Sequence, residues 1–278
     1  VLENVANCRT TGFSKGFAML LTIDCGNTRT KWALFNSAGE ITHENACLNT
    51  ELMTIDLSPT SLNYQRAIIS NVSGEQYVAV IKKSLGANIA THWLKSTSQI
   101  AGVSNHYNKP DTLGCDRWAA LVAAWHIKQA PCVVVNAGTA VTIDALTINN
   151  NQAAFIGGLI LPGLTLMQQS LGQATAQLPV ANSAASATPQ SNDSFPKNTV
   201  DAIYTGALQA ITGAITLMSH KLQAECKQLP YILISGGNAQ TIKDSLVSDA
   251  NQQALVVDHL VLRGLYLIDQ FMQSERAI

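Results

Sequence analysis

Apolar and polar positions alternate along this chain in strand-length blocks, then in longer helical ones. MLLTID (19–24), TKWALFN (30–36) and EITHENA (40–46) are short strand-like runs separated by turn residues, the signature of an antiparallel meander. RAIISNVS (66–73) reads as a buried strand, GEQYVAVIKKSLG (74–86) as an amphipathic helix and NIATHWLK (88–95) as another strand. CDRWAALVAAWHIK (115–128) is a long helix, with Trp118, Leu121, Val122 and Trp125 recurring at helical spacing. After Pro131 the pattern restarts. CVVVNAGTAVTIDALTI (132–148) is an apolar strand, a Gly-Thr turn and a second strand, and QAAFIGGLILPG (152–163) continues as a third. A helix over Thr199–Cys226, a strand in YILISGGNA (231–239) and a short strand plus terminal helix in QALVVDHLVLRGLYLIDQFM (253–272) follow.

This weak internal repeat predicts an α/β protein of two βββαβα halves. The boundaries are residues 19–130 for the first domain and 131–278 for the second. Residues 1–18 read as an extension ahead of a natural start at Met19, either a tag or a misplaced start codon. LPVANSAASATPQSNDSFPK (178–197), rich in Ala, Ser, Asn and Pro, reads as a mobile loop.

The composition supports a folded α/β chain: of 278 residues, 47% are hydrophobic and 13% charged. A formal net charge of −1 without a basic block argues against a nucleic-acid partner and for small diffusible ligands. The six cysteines (Cys8, Cys25, Cys47, Cys115, Cys132, Cys226) show no C-x-x-C pair and no zinc spacing. Cys25, Cys115 and Cys132, among apolar or Gly-rich neighbours, read as buried free thiols, which points to a reducing cytoplasm. No run approaches the ~18 apolar residues of a membrane span, so no membrane partner is expected.

Three strand ends carry similar punctuation: DCGNT (24–28), NAGTAVTID (136–144) and SGGNA (235–239). On its own, LTIDCGNTRTKWALF (21–35) is a plain hairpin with a Gly-Asn turn. Two Gly-Thr hairpins and a Gly-Gly loop, however, supply the backbone N–H groups and hydroxyls that surround a polyphosphate. Neither the P-loop spacing nor G-x-G-x-x-G is present.

In this order the motifs resemble the acetate and sugar kinase/Hsp70/actin superfamily, and within it the type III pantothenate kinases. DCGNTRTK is similar to that family's D-x-G-N-[ST]-x-x-K phosphate motif and YNKPDTLGCDRW to its Y…P…L-G-x-D-R pantothenate motif. GTAVTID is similar to its second phosphate motif, GGLILPG to its G-G-x-I-x-P-G run, and KNTVDAIYTGAL to its Asn-Thr helix start. The resemblance implies two ribonuclease-H-like (actin-like ATPase) domains, each a mixed sheet flanked by helices. It also implies MgATP-dependent phosphorylation of pantothenate to 4′-phosphopantothenate, the entry step to coenzyme A.

The resemblance assigns ATP and phosphate binding to Asp24, Cys25, Gly26, Asn27, Thr28, Arg29, Thr30 and Lys31, with Thr139 as a second phosphate contact. Asp24 would hold hydrated Mg²⁺ and Lys31 would lie along the β- and γ-phosphates. Asp116 would be the general base toward the pantothenate alcohol, with Tyr107, Gly114, Cys115, Arg117 and Thr199 binding substrate. Where the family commonly has D-x-G-T-A, with its Asp serving a monovalent cation, this chain has Asn136. An amide oxygen ligates K⁺ or NH₄⁺ without adding charge, so dependence on either stays open, with Asp144 an alternative source of charge nearby.

The resemblance further implies a homodimer, with helices 115–128 and 199–220 available for its interface. Two other functions remain: another small-molecule kinase of the superfamily, acting on a sugar or a carboxylate, and a non-catalytic ATP-binding accessory or regulatory protein.

Overall fold

The structure, a computed structural model, describes residues 19–86, 89–149, 152–174, 195–246 and 254–277. The expectations for residues 1–18 and for loop residues 178–194 lie outside the described residues. The chain forms two compact units, the first running to Gln129 and resuming at Leu260, the second spanning Ala130–His259.

In the first unit, β1 (Leu20–Cys25), β2 (Arg29–Phe35) and β3 (Ile41–Leu48) form the expected antiparallel meander. A single-turn α1 (Pro59–Leu62) precedes β4 (Arg66–Asn71). Helix α2 (Gln76–Leu85) leads to β5 (Ala90–Trp93), the crossover that a parallel pair requires. The sheet order is β3-β2-β1-β4-β5. β1 lies at its centre, and its near-continuous apolar sequence suits a strand covered on both faces. β3 at the edge exposes Thr42, His43, Glu44 and Asn45, the polar row that keeps a free edge from pairing elsewhere. A small hairpin of β6 (Gln99–Ile100) and β7 (Val103–Asn105), unanticipated from sequence, precedes α3 (Cys115–Lys128).

The second unit contains β8 (Cys132–Ala137), β9 (Ala140–Asn149), β10 (Gln152–Pro162), α4 (Leu164–Ala174) and α5 (Thr199–Cys226). It continues with β11 (Tyr231–Ser235), α6 (Ala239–Ser245) and β12 (Ala254–Val256). Its strand order, β10-β9-β8-β11-β12, repeats that of the first unit element for element. The repeat extends to single residues. Asp24 of β1 is in register with Lys31 of β2 and Ser70 of β4; Asn136 of β8 is in register with Thr142 of β9 and Ser235 of β11.

Helix α5 is long and apolar enough by composition to cross a membrane, which the sequence reading did not recognise. Its buried residues Leu208, Ile211, Ile215 and Leu222 form one face that belongs to the core of the second unit. Its start is fixed by Asn198, which accepts the Asp201 N–H at 2.9 Å and donates back to the Asp201 carboxylate at 2.8 Å. That reciprocal cap leaves Thr199 as the first helical residue rather than the cap.

The last helix, α7 (Leu260–Arg276), departs from the expected boundary at 131, because it packs in the first unit against α3 and β1. Leu260, Leu262, Leu265 and Ile268 are buried, Tyr266 stacks on Phe35 at 4.8 Å, and Asp269 pairs with Arg66 at 2.6 Å. Helix α3 is correspondingly buried from Arg117 to Ala124, and Trp118 is a core residue. A helix apolar on every face is one enclosed by its own fold.

Gly264 is where α3 and α7 meet most closely: a Cβ there would lie 1.8 Å from the Ala119 carbonyl oxygen. Backbone cannot yield as a side-chain tip does. Gly264→Ala is expected to destabilise the protein by about 3 kcal/mol or more through overpacking, read by urea denaturation. Unchanged stability would show that the two helices separate at little cost.

Candidate active site

The β1–β2 hairpin places Asp24 near the C-terminal end of the central strand and then turns through Gly26, Asn27 and Thr28. Asn27, Thr28 and Arg29 are exposed on that turn. The side chains of Cys25 and Thr30 are fully buried instead, Thr30 donating to Asn49 Oδ1 at 2.8 Å and lying 3.4 Å from the Cys25 sulfur.

Asp24 as a residue is half-buried, but its Oδ1 is buried with no hydrogen-bond partner. Burial, and then the charge of Asp116, push its carboxyl up to about 7, with Lys31 and a Ser70 hydrogen bond opposing them. Ser70, fully buried on β4, also lies 3.3 Å from the Cys115 sulfur, and Cys115 reaches the Asn71 carbonyl at 3.6 Å. Cys115 is thus committed to packing, and burial raises its thiol.

Asp116 sits in the first turn of α3, where its Oδ1 accepts the Arg117 N–H at 2.8 Å. Burial raises its carboxyl above the ordinary carboxylate range, while this hydrogen bond and the Arg117 charge oppose the rise. Gly114 makes the room: a Cβ there would stand 2.6 Å from Asp116 Oδ1. Arg117 is 5% exposed and donates to the Tyr107 hydroxyl at 3.0 Å, its guanidinium 5.6 Å from the ring centroid. The motif 107–117 therefore closes on itself, with Asp116 held beside Asp24.

In the second unit three motifs converge on one backbone turn. A Cβ on Gly163 would lie 2.3 Å from the Gly138 carbonyl, and one on Gly236, at φ +110°, would lie 2.4 Å from the Ala137 carbonyl. Gly163 N–H also donates to Thr139 at 2.8 Å. Only glycine allows both approaches. Thr139 is exposed at the tip of this turn, and Asn136 is half-buried beneath it. Thr142, in register with Asn136, has a buried hydroxyl without a partner, and Asp144 is buried two residues further along β9. Thr199 is exposed and lines a cavity of about 540 Å³ between α4 and α5, together with Met167, Ser170, Leu171, Ala202 and Ile203.

Ser70, Asn49, Ser73 and Thr142 escaped the sequence reading. For Ser70 a signal existed, since IISN (68–71) and LISG (233–236) end equivalent strands on serine, and overlaying the repeat marks both.

Two units of one topology, each with a glycine-containing hairpin turn after its central strand, define the actin-like ATPase and sugar-kinase fold. Solved structures agree. EutJ, an ethanolamine utilization protein of Carboxydothermus hydrogenoformans, is similar with TM-score 0.54 at 11% identity, covering 91% of this chain and 89% of that one. A 2-dehydro-3-deoxygalactonokinase-type protein of Sinorhizobium meliloti gives 0.52 at 13% identity, covering 93% and 98%. These show the fold alone.

A model of the type III pantothenate kinase family matches residues 20–221. Type III pantothenate kinases of Methylobacillus flagellatus and Herminiimonas arsenicoxydans are 36% and 38% identical to it, each covering 90% of this chain and 98% and 97% of the relative. The chain belongs to the type III pantothenate kinase family.

Proposed function

We propose that this chain carries out the ATP-dependent phosphorylation of pantothenate with Asp116 as the general base. The observation that supports this most directly is the pair of carboxylates, Asp116 and Asp24, brought together from α3 and β1 into a desolvated site. In the step, the primary alcohol oxygen of pantothenate bonds to the γ-phosphorus, the bond from that phosphorus to the ADP oxygen breaks, and the alcohol proton passes to Asp116. A carboxylate raised by burial is better matched to this task than an ordinary one. Arg117 and Tyr107 orient the acceptor, and Thr199 lines the pantothenate side.

Asp24 fits a hydrated Mg²⁺, since its buried Oδ1 has no protein partner and the charge beside it is of the same sign. Such an ion keeps several waters and takes one or two carboxylates beside phosphate oxygens. Mg²⁺ held there would supply charge to neutralise the phosphates. Lys31 and the turn 26–29 hold the β- and γ-phosphates, and Thr139 is a second phosphate contact. The protein acts in the cytoplasm as a homodimer, with α5, which exposes Val200 and Leu217, as the contact helix.

The test is mass detection of phosphopantothenate from purified protein, MgATP and pantothenate, beside a panel of sugars and carboxylates. Product from another acceptor alone would overturn the reading. Asn136 makes a further expectation. A neutral amide attracts K⁺ or NH₄⁺ less than a carboxylate does, so activity should depend weakly on either ion and Asn136→Asp should strengthen the dependence. Initial rates against K⁺, with a bulky organic cation holding ionic strength constant, measure this. Tight K⁺ saturation in the unmodified protein would place the missing charge elsewhere, with Asp144 first.

A further inference from the structure

A two-residue hairpin turn ordinarily closes with reciprocal backbone bonds between its flanking residues. Here those residues are Gly26 and Arg29, and one bond is made, from Gly26 N–H to the Arg29 carbonyl at 3.1 Å. The Gly26 carbonyl goes elsewhere. It accepts from Asn49 Nδ2 at 2.7 Å and from the Ser73 hydroxyl. Asn49 grips the turn at two further points: its backbone N–H donates to the Thr28 carbonyl at 3.0 Å, and its Oδ1 accepts from the Thr30 hydroxyl at 2.8 Å. Its remaining amide proton has Ser73 Oγ at 3.3 Å. Asn49 is 5% exposed, so its amide group is spent on this one turn.

The carbonyl and N–H of a trans peptide point in opposite directions, and no peptide in the described chain is cis. Drawing the Gly26 and Thr28 carbonyls toward Asn49 therefore turns the N–H groups of Asn27 and Arg29 to the other side. That side carries the exposed residues of the turn. Two backbone donors displayed together form the kind of concavity that receives anionic oxygens.

We propose that Asn49, supported by Ser73, is a positioning residue that sets the β1–β2 turn with its Asn27 and Arg29 N–H groups facing the nucleotide phosphates. This rests on the reading of that turn as the phosphate site. Asn49 lies just past the end of β3 and Ser73 just past β4, both outside the motifs that carry the family resemblance. The role belongs to the Nδ2 donor, because that group takes the Gly26 carbonyl away from Arg29.

Asn49→Ala and Asn49→Asp test it. The aspartate keeps the shape, the backbone bond and the acceptor for Thr30, but both variants lose the donor. Each is expected to lower kcat/KM for ATP on the order of ten- to a hundredfold, to weaken MgATP binding measured by calorimetry without pantothenate, and to leave KM for pantothenate unchanged. Tyr64→Phe is the control for general destabilisation, since it removes a buried 2.6 Å bond to the Leu57 carbonyl in the same unit and touches no part of the turn. It should lower Tm and leave KM for ATP alone. Asn49 variants that bind MgATP as the unmodified protein does, or whose losses match those of Tyr64→Phe, would overturn the proposal and spare the phosphate reading. An unmodified protein that binds no MgATP would overturn the phosphate reading itself.

Discussion

Asp116→Asn is expected to lower kcat by a factor on the order of 10² to 10⁴, the usual loss when a general base is removed, while fold and ATP binding persist. The swap is close to isosteric. Asparagine Oδ1 still accepts the Arg117 N–H and still fits the space that Gly114 leaves, so the start of α3 has no reason to move. What disappears is a group able to take the alcohol proton. The unmodified enzyme should also lose activity as pH falls through the raised pKa of Asp116, because its protonated form accepts nothing. Steady-state rates over pH, with calorimetry of MgATP binding as the control for folding, decide the matter. Near-normal turnover in the variant would remove Asp116 from the chemistry.

The longer strands and helices were legible because each is locally periodic: β1 and β8 as apolar runs, α5 as a long helical pattern whose start Asn198 caps through Asp201. Helix α4, LTLMQQSLGQA after a strand and a Pro-Gly pair, was not among the elements read from the sequence. The unit to which α7 belongs was not legible for a different reason. Its apolar face is plain, but the contact that selects its partner is Gly264 against Ala119, a backbone fit between residues 145 positions apart that no local pattern encodes.

The site divided along the same line. Asp24, Lys31, Gly114 and Asp116 lie in contiguous motifs, whereas Ser70, Asn49 and Ser73 act through strand register and loop closure. Burial separated the motif residues further: the side chains of Cys25, Thr30 and Cys115 are buried and bonded within the fold.

Asp24→Asn should reveal what that architecture costs. The Asp24 carboxyl is raised from its ordinary value of 3.8 to about 7, chiefly by burial and then by Asp116. Between those values the folded protein binds more protons than the unfolded chain, so ligand-free stability falls as pH rises from about 4 to about 7 and is level above. A displacement of that size corresponds to about 4 kcal/mol at most. Asparagine has no charge to bury. The variant should therefore match the parent near pH 4 and exceed it by a few kcal/mol at pH 8, in urea denaturation with chelator present. His92, which burial depresses, makes a contribution of opposite sign that the difference between the two proteins cancels. Activity should move the other way, falling steeply, and MgATP should raise Tm less in the variant than in the parent. A variant that is less stable than the parent at pH 8 would mean that Asp24 is paid for within the fold, and that its unpartnered oxygen is no site for a cation.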